Sequence, residues 1–335
     1  MGHATRCIPI INALITHNFE PVIASDGIGL ELLKKEFPKL KATEIPSYNI
    51  TYAKKANSFK LKMIKDSPHL LKTIKREKKA VETIVEGEQI SGIISDNRFG
   101  VRHKDIPSVF ITHQLRVLSG STTWLSSKLH QQIISKFDEC WVPDHMGTNN
   151  LSGNLGHIED FKTTLKYLGP LSRFEKQNLE KKYDLLVLLS GPEPQRTFLE
   201  EKLLFELNDF EGDVLFIKGK IENEQTIIKN DHITVYNFMT SQALEKAINK
   251  SELILSRSGY TTIMDLAKLE KKAFFIPTPG QFEQEYLAKK FNEEKTAPYC
   301  NQEDFNISKL NKANDFSGFK SINYNVSYDK LFNLF

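Results

Sequence analysis

The chain has 335 residues, 40% hydrophobic and 26% charged, an ordinary globular composition that excludes disordered, collagen-like and low-complexity classes. No apolar run approaches the ~18 residues of a membrane span, and three distant cysteines, Cys7, Cys140 and Cys300, suggest neither a zinc site nor a disulfide framework, so a reducing cytosol fits. The net charge of +3 hides an asymmetry, with residues 1–168 at +6 and the remainder at −3.

The first predicted element is a helix over 5–16. The run from Cys7 to Ile15 behind Arg6 imitates a short signal segment, but it lacks a small-residue cleavage site and reads better as a buried helix. Gly2-His3-Ala4-Thr5-Arg6 has the look of a glycine loop entering that helix. A doubly wound sheet carries its central first strand just ahead of such a loop, so the first domain is expected to lack that strand and the chain to be shortened at its N-terminus. Strands follow near 21–25 and 42–45, with a helix near 28–37.

Residues 53–80 hold ten Lys or Arg and two acids, interleaved with Phe59, Leu61, Met63, Ile64, Leu70, Leu71 and Ile74. Such a segment suits an anionic membrane surface; it equally suits a solvated helix face whose apolar side enters the core. Nucleic acid is not expected as a partner, because no stacking aromatic motif accompanies the charge. A helix is predicted over 68–86 and strands near 90–95, 108–112 and 139–142, with a helix at 121–136 between the last two. Asp96 and the pair His113-Gln114 therefore sit at carboxyl ends of strands, where open α/β sheets bind ligands, although such residues also serve as helix caps or solvated loop residues.

Gly169 and Pro170 punctuate the chain after Leu168, so two domains are expected, 1–168 and 169–335. The second repeats the pattern, with strands near 183–190, 214–218, 233–236, 253–256 and 273–277 and helices near 195–207, 241–249, 261–269 and 281–292. Short apolar runs alternating with helices predict parallel sheets, giving an α/β protein of two doubly wound Rossmann-like domains facing a cleft. The segment 328–335 is expected to pack back on the first domain.

Two loops of the second half carry chemistry. Ser190-Gly191 opens a loop that ends at Arg196; its two prolines make it stiff and poor in N–H donors. The turn Ser256-Arg257-Ser258-Gly259 runs into Thr261 and Thr262 at a helix start, which suits a phosphate through unpaired N–H groups and the helix dipole. The plainer reading there is a Ser-capped helix. Asp265 lies one to two turns on, within reach of a ribose hydroxyl, and a later polar loop ends in Glu283-Gln284.

These residues resemble the donor domain of GT-B glycosyltransferases, most closely family 28. That family has a Ser-Arg-x-Gly turn, usually Glu at the position of Asp265, and often His-Gln where this chain has Glu283-Gln284; both departures keep hydrogen-bond acceptors. The resemblance implies an inverting, metal-independent glycosyltransferase without cofactors. Its donor would be a nucleotide sugar, with uridine diphosphate as the expected nucleotide. Its acceptor is unknown and in that family often lipid-linked, and the location would be cytoplasmic or peripheral on the inner membrane face.

Under this resemblance His3 is the general base in the cleft, a role neutral imidazole suits near pH 7, and Asp96 orients or replaces it. The competing view of His3 is an exposed side chain on a frayed terminus. His113 and Gln114 would face the acceptor. Ser258, Gly259 and Thr261 would hold the diphosphate, Asp265 the ribose, and Glu283 with Gln284 the sugar. Arg257 would offset charge or form a structural ion pair, and Ser190, Gly191 and Arg196 would line the donor site, chiefly by support. No metal ligands are expected. Gly2-His3-Ala4-Thr5-Arg6-Cys7 also resembles the Gly-His-x-x-Arg-Cys pattern of a nucleotide-sugar hydrolase of related fold, whose His activates water. A non-catalytic nucleotide-sugar binding protein is the third reading.

Overall fold

The computed structural model describes residues 2–48, 59–220, 222–320 and 326–335, with side chains in the helix that begins at Phe59 described from His69 onward. Two compact units divide the chain: residues 1–173 with 324–335, and residues 174–323. The expected boundary at 168 is thus displaced by a few residues, and the C-terminal segment returns to the first unit.

In unit 1, helix α1 (Gly2–Thr16) leads to strand β1 (Ile23–Ser25), helix α2 (Gly27–Glu36) and strand β2 (Ala42–Glu44). Helix α3 (Phe59–Gly87) follows, then strands β3 (Ile93–Asp96) and β4 (Ser108–Ile111), helix α4 (Thr123–Ile134), and strands β5 (Glu139–Val142) and β6 (Thr164–Tyr167). All pairings are parallel, but they form two sheets, β1-β2 and β3-β4-β5-β6. The α1 stripe of Ala4, Ile8 and Ile11 packs with Ile23, Leu30 and Leu33, the i, i+3/i+4 spacing of an amphipathic helix. Val81 of α3 packs with Ile45, Ile93 and Val101. On the larger sheet, Phe110, Cys140 and Val142 pack against Ile134 and Phe137.

Buried Glu77 of α3 binds the loop after β3: it accepts from Arg98 Nε at 2.7 Å, from the Gly100 N–H at 2.9 Å and from the Tyr48 hydroxyl. Gly100 is required by this approach, since a Cβ there would lie 2.5 Å from the Ile74 carbonyl oxygen. Helix α9 (Tyr328–Phe332), which also belongs to this unit, sets Phe332 against His17, Phe19 and Trp141.

Unit 2 contains strand β7 (Tyr183–Leu188), helix α5 (Gln195–Glu206), and strands β8 (Val214–Ile217), β9 (Ile227–Asn230) and β10 (Ile233–Tyr236). Then come helix α6 (Ser241–Asn249), strand β11 (Ser251–Ser256), helix α7 (Tyr260–Lys268), strand β12 (Lys272–Phe275) and helix α8 (Phe282–Glu293). One sheet of order β12-β11-β7-β8-β10-β9 joins them, parallel except for the antiparallel edge strand β9. Its core places Val187, Phe216, Leu255 and Phe274 against Leu199 and Leu203 of α5. Buried on both faces, these strands read as continuous apolar runs, as parallel strands between helices do.

Candidate active site

The predicted residues fall into two groups, one in each unit. In unit 1, α1 brings His3, Arg6 and Cys7 onto one face, as spacings of three and four residues dictate. That face meets Asp96, the last residue of β3. Arg6 is 2% exposed and grips the Asp96 carboxylate in a two-point fork, Nε donating to Oδ2 at 2.6 Å and Nη2 to Oδ1. His3 Nδ1 lies 2.9 Å from Asp96 Oδ1, while the His3 side chain is 55% exposed. Arg6 Nη1 also donates to His113 Nδ1 at 3.2 Å, and the Cys7 thiol approaches Asp96 Oδ2 at 3.4 Å. His113 is buried, and the Gln114 N–H donates to Thr112 Oγ1 at 3.0 Å.

The charges follow from this packing. Burial works to raise the Asp96 pKa, but the Arg6 guanidinium and His3 override it and hold the carboxyl well below the usual range. Cys7 is pushed up by its burial and by the Asp96 charge, so it stays a thiol. His3 Nδ1 lies 2.9 Å from the Asp96 carboxylate and 2.8 Å from Arg6 Nη2, so one ring nitrogen meets both an acceptor and a donor.

Arg6 was not singled out for a site role by sequence reasoning. The signal was present in its spacing from His3, but an arginine in an apolar helix becomes a site residue only when its partner carboxylate, 90 positions away, is known. Asp144 is a second unpredicted organiser. Fully buried, it accepts the N–H groups of His145, Leu151 and Ser152, each at 2.8 Å, and so shapes the loop after β5.

In unit 2, β11 ends at Ser256 and α7 starts after Gly259, the N-cap residue, with no side-chain capping bond. A Cβ at Gly259 would meet nothing within 4 Å, so there is open space beside the helix start. The capping role considered for Ser258 is not what it does: fully buried, it donates from Oγ to the Gln284 carbonyl at 2.7 Å. Gln284 itself accepts the Thr278 N–H at 2.8 Å and donates to Gln281 Oε1 at 2.6 Å. Ser258 and Gln284 thus lock the α7 start to the loop before α8. Thr261 and Asp265 lie on α7 and Glu283 in the first turn of α8, all three half-buried.

Arg257 is 1% exposed, and burial pushes its pKa down to about 10. Its guanidinium donates to the carbonyls of Ile276, Pro277 and Gln195 and to Gln302 Oε1 at 2.7–3.1 Å. Of the two roles expected for it the geometry provides a brace, made to backbone carbonyls rather than to an acid. Arg196 is also buried, paired with Glu193 and with Glu200 at 2.6 Å, beside a polar cavity of about 220 Å³. Ser190 and Gly191 follow β7; Gly191 has φ +113°, and a Cβ there would lie 4.0 Å from Thr278 Oγ1. The basic segment 53–80 lies outside the described residues up to 58, and its side chains up to 68. No helix among the described residues is long and apolar enough to cross a membrane.

Comparison with known proteins adds the following. Residues 195–317 match the glycosyltransferase family 28 C-terminal domain. The chain is 24% identical, over 98% of its length and 92% of the relative's, to a UDP-N-acetylglucosamine–N-acetylmuramyl-(pentapeptide) pyrophosphoryl-undecaprenol N-acetylglucosamine transferase of Clostridium botulinum. It is 22% identical to the transferase of the same name from Haemophilus ducreyi; that match covers 53% of this chain and only about half, 48%, of the relative. Among solved structures, MurG of Acinetobacter baumannii superposes with a TM-score of 0.54 at 16% identity, over 93% of this chain and 85% of that one. The glycosyltransferase SnogD of Streptomyces nogalater does so at 0.60 and 10% identity, over 93% and 88%. The fold is that of GT-B glycosyltransferases, and the C-terminal unit carries a family 28 domain.

Proposed function

We propose that this family 28-like glycosyltransferase moves a sugar, with inversion and without a metal ion, from a uridine diphosphate donor to a hydroxyl of a lipid-linked acceptor. The observation that carries the reading is the open space at Gly259, where α7 starts without a side-chain cap, inside the segment that matches the family 28 domain. The positive end of the helix dipole favours a diphosphate there. It also stabilises the negative charge that grows on it as the glycosidic bond breaks. Thr261 adds a hydroxyl, Asp265 holds the ribose, and Glu283 bonds the sugar. Gln284 and Ser258 keep the loop and the helix start in register.

On the acceptor side, His3 Nε2 takes the proton of the acceptor hydroxyl as its oxygen attacks the anomeric carbon. The nucleoside diphosphate departs with the bonding electrons from the opposite face, which inverts the centre. Asp96 holds His3 in the required tautomer and stabilises the imidazolium that forms, and Arg6 fixes Asp96. His113 and Gln114 border the acceptor. The names of the two relatives, which include an undecaprenol carrier, support a lipid-linked acceptor. So does the exposed apolar face of α4, where Trp124 is 72%, Leu125 47% and Leu129 50% exposed and Lys128 sits over the Trp124 ring. The enzyme would work as a peripheral protein on the cytosolic face of an anionic membrane.

Calorimetric titration with uridine diphosphate tests the donor half. Micromolar binding is expected, weakened about tenfold or more in Asp265→Ala, equivalent to ~1.4 kcal/mol; no binding by the folded parent would remove the donor assignment. For the acceptor half, His3→Gln should lower kcat by roughly 10²–10⁴ with diphosphate affinity unchanged. Release of free sugar without acceptor, in place of a new glycoside, would convert the reading to hydrolysis.

A further inference from the structure

Unit 2 places two lysines on one pair of carbonyls. The Nζ of Lys271, which is 5% exposed, donates to the carbonyls of Asn249 and Ser251, each at 3.0 Å. The Nζ of Lys181, an exposed residue, donates to the same two carbonyls at 3.0 and 3.1 Å. Asn249 is the last residue of α6 and Ser251 the first of β11, so the negative end of the α6 dipole explains one cation here. It does not explain two. Two ammonium groups that share both acceptors repel each other, and the buried one has given up its water as well. Both effects act on Lys271: burial first, and the Lys181 amine next, push it down to about 7.

The other charges around the pair do not offset this. Glu252 of β11 favours the charged form of Lys271, whereas Lys176 opposes it. Glu270, the residue before Lys271, is engaged by Lys176. Glu245 of α6 accepts from the Glu175 N–H at 2.9 Å and from Gln177 Nε2, and Lys268 of α7 pairs with Glu175 at 3.1 Å. These bonds belong to a zipper that docks residues 174–182 on the corner between α6 and β11. In it the Gln177 N–H donates to Asn249 Oδ1 at 3.0 Å, Asn249 Nδ2 to the Glu175 carbonyl at 3.1 Å, and the Lys182 N–H to the Lys250 carbonyl at 2.8 Å. Of the two lysines, Lys181 is the one with solvent to move into.

We infer that Lys181 and Lys271 form a proton-operated latch. While the two amines carry one positive charge between them, residues 174–182 stay docked; a second proton, taken from solvent, drives Lys181 off the carbonyls and loosens that segment. The sign follows from linkage. With Lys181 withdrawn, Lys271 keeps both carbonyls and loses its like-charged neighbour, so it holds its proton more tightly. The undocked state therefore binds more protons and is favoured as pH falls through about 7, and the docked state gains as pH rises. The corner lies at the amino ends of β7, β11 and β12, whereas the α7 start follows the carboxyl end of β11. This inference is thus independent of the sugar-transfer reading.

The test follows hydrogen exchange at the amides of Glu175, Gln177 and Lys182, corrected for intrinsic chemical exchange, at about pH 6 and pH 8.5 in the parent, Lys271→Met and Lys181→Met. In the parent these amides should be protected about tenfold more at the higher pH, the size of a one-proton linkage over one pH unit. Lys271→Met removes the like charge, leaves Lys181 alone on both carbonyls, and should protect the three amides equally at both pH values. Lys181→Met removes the latch and should leave them weakly protected at both. Independently, the Lys271 Cε resonance should titrate near neutrality in the parent and about one pH unit or more higher in Lys181→Met. Protection of the parent that does not change with pH, or that changes as much in Lys271→Met, would overturn the latch. Should Lys271→Met fail to fold, an unshifted Lys271 titration in Lys181→Met would overturn it alone.

Discussion

Replacing Asp96 by Asn would leave the guanidinium of Arg6, 2% exposed, without its carboxylate. Breaking a buried pair by removing one partner costs about 3–5 kcal/mol, so urea unfolding of unit 1 should shift strongly to lower denaturant. The pH dependence has a definite sign. The folded Asp96 pKa is depressed, so its stabilisation is complete above the unfolded value near ~4 and is lost as pH falls toward the folded value. Between pH 6 and pH 3 the parent should therefore lose more stability than Asp96→Asn, and equal losses would show that the pair contributes nothing. Asp96 was legible as a strand-end acid because strand ends can be read from apolar runs. Arg6 was not, because ionic pairing across 90 positions leaves no local signature. The same limit applied to the bonds of Ser258 to the Gln284 carbonyl and of Gln284 to the Thr278 N–H, which tie the α7 start to the loop before α8.

Among the elements, the strands with buried apolar faces and the helices with clear periodicity were readable, most to within a few residues at their ends, although α3 begins at Phe59, nine residues ahead of the predicted start at 68. β6 and β9 were not predicted. Thr164–Tyr167 alternates polar and apolar residues over one turn's length, and Ile227–Asn230 is exposed at all four positions. Such segments become strands through the neighbour's ladder and not through their own pattern. α4 was predicted as a helix, but its unpartnered face was not foreseen; the expectation of membrane contact was placed on 53–80 instead. If that face of α4 meets lipid, Trp124→Ser should reduce cosedimentation with anionic vesicles several-fold, because an interfacial aromatic anchors through its burial at the headgroup level. Unchanged cosedimentation would remove α4 from the membrane reading.

For the whole molecule, two compact units with parallel sheets were foreseen from the alternation of strands and helices. What could not be read is that the strands of unit 1 form two separate sheets flanking a cavity, since the periodicity of β1 and β3 is the same whether or not their sheets join. The two units should accordingly differ in local stability. Amides of β3 should exchange at least tenfold faster than those of β7 and β11, which are paired on both sides, since local opening follows the density of buried contacts and paired backbone. Uniform protection across both sheets would contradict the split.

Helix α9 carries a consequence for the order of events during synthesis. Phe332 and Phe335 complete the packing around Trp141, yet they are translated after all of unit 2. At ~5–20 residues per second, the 150-odd residues between Arg173 and Tyr324 hold unit 1 incomplete for roughly 8–30 s. Unit 1 is therefore completed only after the whole of unit 2 has been made.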